Sequence, residues 1–230
     1  MVRTLSIVPF LAVGCSYSEV DVPYDVDGDG LMGDEETEYG TDPDKADTDG
    51  DSYDDGVEVA GNTDPTNRGD HPYEGGWPID SCRWDIESTG VGVGEIAPDF
   101  ELEDQFGETV RLHDFCGKAV LLTFGAEWCG PCQAKASKLE ALYQRYDPNE
   151  FIAIDVLYED IDSQPATAET AERWVDAYGL TVPVLIDPDQ TVIINWVLAN
   201  AIPSESLMKP GLEILVLDTQ DADMQIDSAL

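Results

Sequence analysis

One stretch, FGAEWCGPC at residues 124–132, decides the fold of this 230-residue chain. The apolar run that leads into it, Ala119–Phe124, predicts a buried strand, and Pro131–Tyr146 carries apolar residues at helical spacing. Two cysteines separated by two residues therefore lie at a strand-to-helix junction. Pro131 suits the first turn of that helix, where a backbone N–H has no intrahelical partner.

This junction gives Cys129 its predicted chemistry. Unpaired N–H groups and the positive end of the helix dipole favour a thiolate at a helix N-terminus, and the thiolate is the nucleophilic form of cysteine. Cys129 and Cys132 therefore predict a dithiol/disulfide redox site. Half of a zinc site and a purely structural disulfide are the alternatives. Zinc needs further ligands, and the other cysteines and the histidines, His71 and His113, are scattered along the chain.

The motif WCGPC after a buried strand resembles the thioredoxin superfamily, and APDFELEDQFG at residues 97–107 resembles the entry hairpin of its TlpA-like and peroxiredoxin-like branches. The resemblance covers residues 91–218. It implies thiol–disulfide exchange in which Cys129 attacks a substrate disulfide and Cys132 resolves the mixed disulfide. The resemblance also implies a catalytic role for Trp128, which precedes the first cysteine in the motif.

The other site residues come from the resemblance, with two departures. The family places a cis-proline opposite the disulfide, for which Pro203 is the candidate and Pro183 the rival. The buried acid that opens the pattern D-F-W-A-E-W-C in many members is Thr123 here. The acid that some TlpA-like reductases carry three residues after the second cysteine is Lys135. Proton transfer from the second cysteine is therefore left to Glu127 or to water.

The order of predicted elements is that of an α/β chain. An entry hairpin precedes a central strand, a helix, a parallel strand, a second helix, an inserted strand and a closing pair of strands. The ranges are 100–102, 110–112, 119–124, 131–146, 151–157, 167–178, 182–187, 204–208 and 213–217. Alternating strands and helices predict a thioredoxin-like fold, a mixed sheet with helices on both faces, in residues 91–230. The closing helix of the family is predicted to be short or missing.

The charge of the chain is extreme. It has 49 acidic and 11 basic residues, a net charge of −38 and a sequence pI of about 4.1. Nucleic acids and anionic membrane surfaces would repel such a chain, which argues against both as partners. Cation binding and a salt-adapted surface both fit it.

Residues 1–15 predict a lipoprotein signal peptide. Arg3 supplies a positive start, and a short apolar stretch ends at AVGC, residues 12–15. This end resembles a bacterial lipobox, although Ala12 stands where leucine is usual, and it implies that Cys15 is lipidated. The alternative is an ordinary buried N-terminal segment. Ser16 is compatible with sorting to an outer membrane, and no other segment is long and apolar enough to cross a bilayer.

Residues 16–70 predict an acidic calcium-binding stalk that is loop-rich and duplicated. Residues 21–70 hold 18 acidic and 2 basic residues, and their motifs recur at an offset of 22. Oxygens at loop positions 1, 3, 5, 7 and 12 suit Ca²⁺. The predicted ligands are Asp25, Asp27, Asp29, the Leu31 carbonyl and Glu36, and then Asp47, Asp49, Asp51, the Tyr53 carbonyl and Glu58. Glycine is expected at position 6, where Gly30 fits and Ser52 does not.

These loops resemble EF-hand-type loops and, more closely, thrombospondin type 3-like repeats, which lack long flanking helices. The resemblance implies that calcium stiffens the segment. A disordered acidic linker is the alternative, because so many carboxylates repel one another without a metal.

Residues 71–90 predict a linker that packs on the following domain through Trp77 and Trp84. Cys82 lies in it, and Cys116 lies just before the central strand. In an oxidising, exported context this remaining pair predicts a structural disulfide. Free thiols and a second redox pair are the alternatives.

Taken together, the chain predicts an exported, membrane-anchored thiol–disulfide oxidoreductase of the cell envelope, with structural Ca²⁺ and no organic cofactor. Protein disulfides are the expected substrates, and the family implies a membrane electron donor. A thiol peroxidase is disfavoured because Ala126 stands where that chemistry needs threonine or serine. A calcium-dependent surface or interaction protein that uses the redoxin fold as a scaffold is the second alternative.

Overall fold

Seven strands form one mixed sheet in this computed structural model, which describes residues 24–51, 53–61, 63–68, 70–80 and 86–230. They are β1 Glu101–Glu103, β2 Thr109–Arg111, β3 Ala119–Gly125, β4 Phe151–Leu157, β5 Val184–Ile186, β6 Ser204–Lys209 and β7 Glu213–Thr219. The order across the sheet is β2-β1-β5-β4-β3-β6-β7. β3, β4 and β5 are parallel, whereas β1, β2, β6 and β7 join by antiparallel pairing. The predicted fold class is confirmed.

The helices are short apart from the two that follow β3 and β4. They are α1 Gly33–Tyr39, α2 Asp55–Gly61, α3 Gly130–Tyr143, α4 Ala168–Tyr178 and α5 Ile193–Trp196, with 3₁₀ turns at Leu112–Phe115 and Ala222–Ser228. The last turn is the short closing element that the sequence predicted. Within the described part of the chain, no helix combines the length and apolar character needed to cross a bilayer.

β3 and β4 are buried along their whole length, as expected for central strands covered on both faces. Their side chains alternate between two layers. Phe151 packs against Tyr143 of α3, with ring centroids 6.3 Å apart, whereas Phe124 packs against Trp196 of α5 at the same distance. Every second residue of β3, starting from Ala119, therefore faces the layer that contains the cysteine helix.

Two predicted elements were too long, and one short helix was missed. α3 ends at Tyr143 rather than at residue 146, because Pro148 excludes helical geometry at Asp147 and the chain tightens into i→i−3 turns. The inserted strand is only β5, because Pro183 has no N–H to donate and contributes only its carbonyl, which accepts from the Asp155 N–H at 3.0 Å. α5 was not predicted, since four residues are too few to show a helical period.

The segment before the redoxin domain packs on it as predicted. Trp77 is buried in the core and its indole N–H donates to the carbonyl of Thr181 at 2.7 Å. Lys118 is also buried and pairs with Asp80 at 2.9 Å, which holds the same segment from the other side. Cys15, Ser52, Cys82 and Trp84 lie outside the described residues. The lipidation of Cys15, the disulfide of Cys82 and the packing of Trp84 therefore remain predictions.

Candidate functional site

Cys129 and Cys132 form a disulfide at the start of α3, with their Cα atoms 5.2 Å apart. Cys129 is the N-cap residue of this helix, and its sulfur accepts the backbone N–H of Cys132 at 3.2 Å. Pro131 occupies the first turn. A backbone N–H that has no partner within the helix therefore points at the sulfur that the sequence predicts to be the nucleophile.

The disulfide lies just under an exposed rim. Cys129 is 3% exposed and Cys132 is 4% exposed, whereas Trp128 is 41% exposed and Gly130 and Pro131 are exposed as well. The Trp128 indole N–H donates to Glu159 at 2.7 Å, which fixes the ring beside the first cysteine.

Pro203 follows a cis peptide bond, as predicted, and lines the same small cavity as Cys132. Pro183 is not in a cis bond. On the opposite side, a Cβ at Gly125 would lie 3.3 Å from the Cys132 sulfur, so this glycine gives the sulfur its room.

Two buried acids that the sequence analysis did not single out flank Thr123. In the sheet register Thr123 is opposite Asp155 of β4 on one side and opposite Glu205 of β6 on the other. All three side chains therefore point to the α3 face. Lys135 of α3 reaches Glu205, with its Nζ 2.7 Å from Oε1. The sequence does show one acid within each of the two predicted strands, Asp155 and Glu205. It does not show that the two acids become neighbours of Thr123.

Glu127, predicted as an alternative proton acceptor for Cys132, makes its contacts away from that cysteine. Its carboxylate forms a bidentate pair with Arg173, at 2.8 and 3.2 Å, and accepts the N–H of Ile161 at 3.0 Å. It is not among the residues that line the cavity beside Cys132.

The zinc alternative for the cysteines finds no support in the described part of the chain. There, the only groups of three or more clustered candidate ligands are Asp25, Asp27 and Asp29, and Asp47, Asp49 and Asp51. In each triple one oxygen from each residue lies within 4.8 Å of the others.

The two acidic loops fold alike. Asp25 accepts the N–H of Gly28, and Asp47 accepts the N–H of Gly50, both at 2.7 Å. Gly28 and Gly50 have φ values of 90° and 80°, a region that favours glycine. The backbone of Leu31 and of Tyr53, at loop position 7, is likewise tied to the aspartate two residues earlier. The duplication in the sequence is therefore a duplication of structure.

Each loop leads into a short helix that carries the glutamate at position 12. Glu36 in α1 and Glu58 in α2 are 1% and 0% exposed, and among the described residues neither carboxylate oxygen of either glutamate has a hydrogen-bond partner. Burial, followed by the neighbouring aspartates, raises the pKa of Glu58 to about 9. A buried carboxylate without a partner is strongly destabilising unless a cation balances it. The donor set, all oxygen, fits a hard cation such as Ca²⁺.

The second loop also contacts the redoxin domain. The Tyr53 hydroxyl donates to Glu108, in the turn between β1 and β2, at 2.6 Å. Its ring stacks on His71 with centroids 4.8 Å apart, and His71 packs edge-on against Tyr73, which belongs to the domain core. A continuous row of aromatic rings thus links this loop to the entry hairpin.

Cys116 is disulfide-bonded. It is 2% exposed in the core next to β3. The pairing with Cys82 remains a prediction because Cys82 is outside the described residues.

Comparison with known proteins gives a consistent match to the redoxin part. The model of the AhpC/TSA family matches residues 93–215. "Thiol-disulfide oxidoreductase ResA" of Geobacillus kaustophilus is 33% identical over 130 residues, which is 56% of this chain and 70% of that protein. The protein of the same name from Halalkalibacterium halodurans is 33% identical over 129 residues, 55% of this chain and 68% of that protein.

Among solved structures, a candidate protein disulfide isomerase from Bacteroides thetaiotaomicron superposes with a TM-score of 0.52 at 26% identity. The match covers 63% of this chain and 94% of the other. The thiol–disulfide oxidoreductase class predicted from the sequence is confirmed by these relatives. The matched family region begins after the acidic loops.

Proposed function

The chain belongs to the AhpC/TSA family and is a thiol–disulfide oxidoreductase, and from this premise we propose that it reduces protein disulfides through Cys129 and Cys132. The Cys129 thiolate attacks a substrate disulfide, and one substrate sulfur leaves as a thiolate. Cys132 then attacks the sulfur of Cys129, which releases the second substrate sulfur. The observation that carries the proposal is the Cys129–Cys132 disulfide, with Cys129 capping α3.

Trp128 and Pro203 complete the proposed site. Trp128 offers an exposed aromatic face beside Cys129, held in place through its indole N–H. Pro203 is buried and lines the small cavity that also contains Cys132. An extended substrate segment that packs on Trp128 would bring its disulfide to the Cys129 sulfur.

We further propose that the protein works in the cell envelope, anchored by a lipid on Cys15 after removal of the residues that precede it. Outside the cytoplasm a dithiol donor must restore the reduced pair, and a membrane carrier near the anchor would supply its electrons. The lipobox-like end of the apolar stretch and the disulfide-bonded Cys116 support an exported location.

In the acidic segment we propose two structural Ca²⁺ sites. Asp25, Asp27, Asp29, the Leu31 carbonyl and Glu36 would hold one ion, and Asp47, Asp49, Asp51, the Tyr53 carbonyl and Glu58 the other. The buried, unpartnered glutamates support this assignment better than the count of acidic residues does. Bound Ca²⁺ would balance the clustered carboxylates and stiffen the segment.

Insulin reduction by the full chain, with dithiothreitol as donor, tests the redox proposal. Wild type should accelerate precipitation of the insulin B chain, and Cys129→Ser should abolish the acceleration. Cys132→Ser should retain a covalent adduct with its substrate, visible by mass spectrometry, because the resolving thiol is missing. Equal activity of wild type and Cys129→Ser would reject the role of Cys129.

The same proteins separate the alternatives. Peroxide turnover without insulin reduction would favour a thiol peroxidase. Absence of both activities, together with calcium-dependent binding to another protein, would favour the surface-module interpretation.

A further inference from the structure

A buried carboxylate lies beneath the second cysteine, on a different strand from the one on which the family resemblance would place it. Asp155 of β4 is 5% exposed and is opposite Thr123 in the parallel pairing of β3 and β4. Both side chains face the layer that contains α3. The position where the family pattern has an acid is Thr123 here, but its neighbour in the sheet register, Asp155, is an acid.

Asp155 and Cys132 share one enclosed cavity. It has a volume of about 10 Å³, and Thr123, Pro203 and Trp174 of α4 also line it. That space is close to the size of a single water molecule. Asp155 is the only carboxylate among its lining residues, and Lys135 is the only cation.

The contacts of Asp155 are with neutral groups. Thr123 donates its hydroxyl to Oδ1, and the indole N–H of Trp174 donates to Oδ2 at 2.8 Å. Lys135 is occupied by Glu205 at 2.7 Å and by Asp223 at 3.4 Å. Within the described residues, the other titratable groups that face Asp155 are therefore Cys132 and Lys135 from α3, with Glu205 beyond Lys135 on β6. α4 presents the neutral indole of Trp174, and the register neighbour on β5 is Val184.

These surroundings suit a group that changes its protonation. Burial raises the pKa of Asp155, and the hydrogen bonds from Thr123 and Trp174 partly offset this rise. A carboxylate of ordinary pKa would be a weak base toward a thiol, so the rise improves the match. The Thr123 hydroxyl also lies 3.4 Å from the carbonyl of Ile154. It can donate there, and accept from Asp155, when the acid is protonated.

We propose that Asp155 accepts the proton of Cys132 when that thiol resolves the mixed disulfide. The proton passes to the carboxylate directly or across the cavity. The Cys132 thiolate attacks the Cys129 sulfur, the Cys129–substrate bond breaks, and the substrate sulfur leaves with the bonding electron pair. When a dithiol donor later reduces the Cys129–Cys132 disulfide, Asp155 returns the proton to Cys132. Thr123 and Trp174 are positioning residues. The inference rests on the proposed dithiol function.

Stopped-flow oxidation of the reduced full chain by 5,5′-dithiobis(2-nitrobenzoate) tests it. The first thionitrobenzoate is released when Cys129 attacks the reagent, and the second when Cys132 resolves the adduct. In Asp155→Asn the first phase should be unchanged, and the second should slow on the order of 10²-fold near neutral pH. The second phase of the variant should also rise about tenfold per pH unit, because hydroxide then removes the proton.

One control variant and the first phase of the wild type keep the outcomes apart. Thr123→Val keeps the carboxylate but removes its hydroxyl partner, and it should slow the second phase less than Asp155→Asn does. It also serves as the test variant if Asp155→Asn does not fold, in which case an unchanged second phase would overturn the inference. In folded Asp155→Asn, a second phase with the wild-type rate and pH profile would do the same. Loss of the first phase in wild type would instead reject the dithiol function itself.

Discussion

Lys135 stabilises the fold because it neutralises a buried acid. Its ammonium lies 2.7 Å from Oε1 of Glu205 and 3.4 Å from Asp223. The Glu205 side chain is 0% exposed, and it also accepts the N–H of Asp223 in a long contact of 3.4 Å. Removing one partner of a buried ion pair destabilises by about 3–5 kcal/mol. Lys135→Met should lie at the lower end, because 22% of the lysine side chain is exposed.

A loss of about 3 kcal/mol should lower the melting temperature by about 6–12 °C for a chain of this size. Differential scanning calorimetry at fixed calcium concentration measures it. Lys138→Met, an exposed position on the same helix, is the matched control and should change stability by less than about 0.5 kcal/mol. The double variant Lys135→Met/Glu205→Leu should recover most of the loss, since it removes the buried charge as well.

The loss should depend on pH with a definite sign. Burial raises the pKa of Glu205 from 4.5, while Lys135 opposes this rise. Without the lysine the pKa rises further, so the folded state binds a proton more tightly than the unfolded state does. The deficit of Lys135→Met should therefore be smallest below pH 4.5 and should grow as the pH rises above it. A variant as stable as wild type at neutral pH, or a deficit independent of pH, would refute this role of Lys135.

Three further predictions concern the acidic loops and the segment that follows them. Glu58→Gln should remove one of two calcium-binding events in isothermal titration calorimetry, whereas Glu38→Gln, which changes an exposed residue, should leave both; two events in Glu58→Gln would exclude the second site. Tyr53→Phe breaks the 2.6 Å hydrogen bond to Glu108, which joins the second acidic loop to the redoxin domain. Calcium binding at a hundredfold excess over Kd contributes about 2.7 kcal/mol of stability per site. Because less of this stability then reaches the domain, calcium should raise the melting temperature of the variant less than that of wild type. Trp77→Ala should destabilise by about 3–5 kcal/mol in urea denaturation, because the ring is buried and bonded to Thr181, whereas Ile194→Ala, at a position that is 73% exposed, should have little effect.

Local patterns in the sequence were sufficient to place the Cys129–Cys132 disulfide and to predict the sheet around it. The CGPC motif lies between a continuous apolar run and a segment with apolar residues at helical spacing, so the sequence alone places Cys129 and Cys132 at the start of a helix. Pro203 could be placed because the family resemblance implies a cis-proline opposite the disulfide, and Pro203 opens the penultimate predicted strand. The repeated Asp-x-Asp-x-Asp pattern likewise predicted both acidic loops, since the clustered carboxylates of each loop come from one short stretch.

Contacts between distant strands could not be predicted in this way. Asp155 and Glu205 become neighbours of Thr123 only through the register of three strands, which a one-residue shift would change. In the sequence Lys135 is only the replacement of an acid, because its partner lies 70 residues away on β6. The docking of Tyr53 on Glu108 spans 55 residues and leaves no local trace in the sequence.

The central claim is that the Cys129 sulfur, at the N-terminus of α3, is the reactive thiolate. Brief alkylation of the fully reduced protein with iodoacetamide near neutral pH, followed by digestion and mass spectrometry, tests this claim most directly. We expect Cys129 to be modified at least about tenfold faster than Cys132, because its sulfur is the one that receives a backbone N–H at the helix N-terminus. Faster modification of Cys132, or equal rates for the two, would contradict the claim.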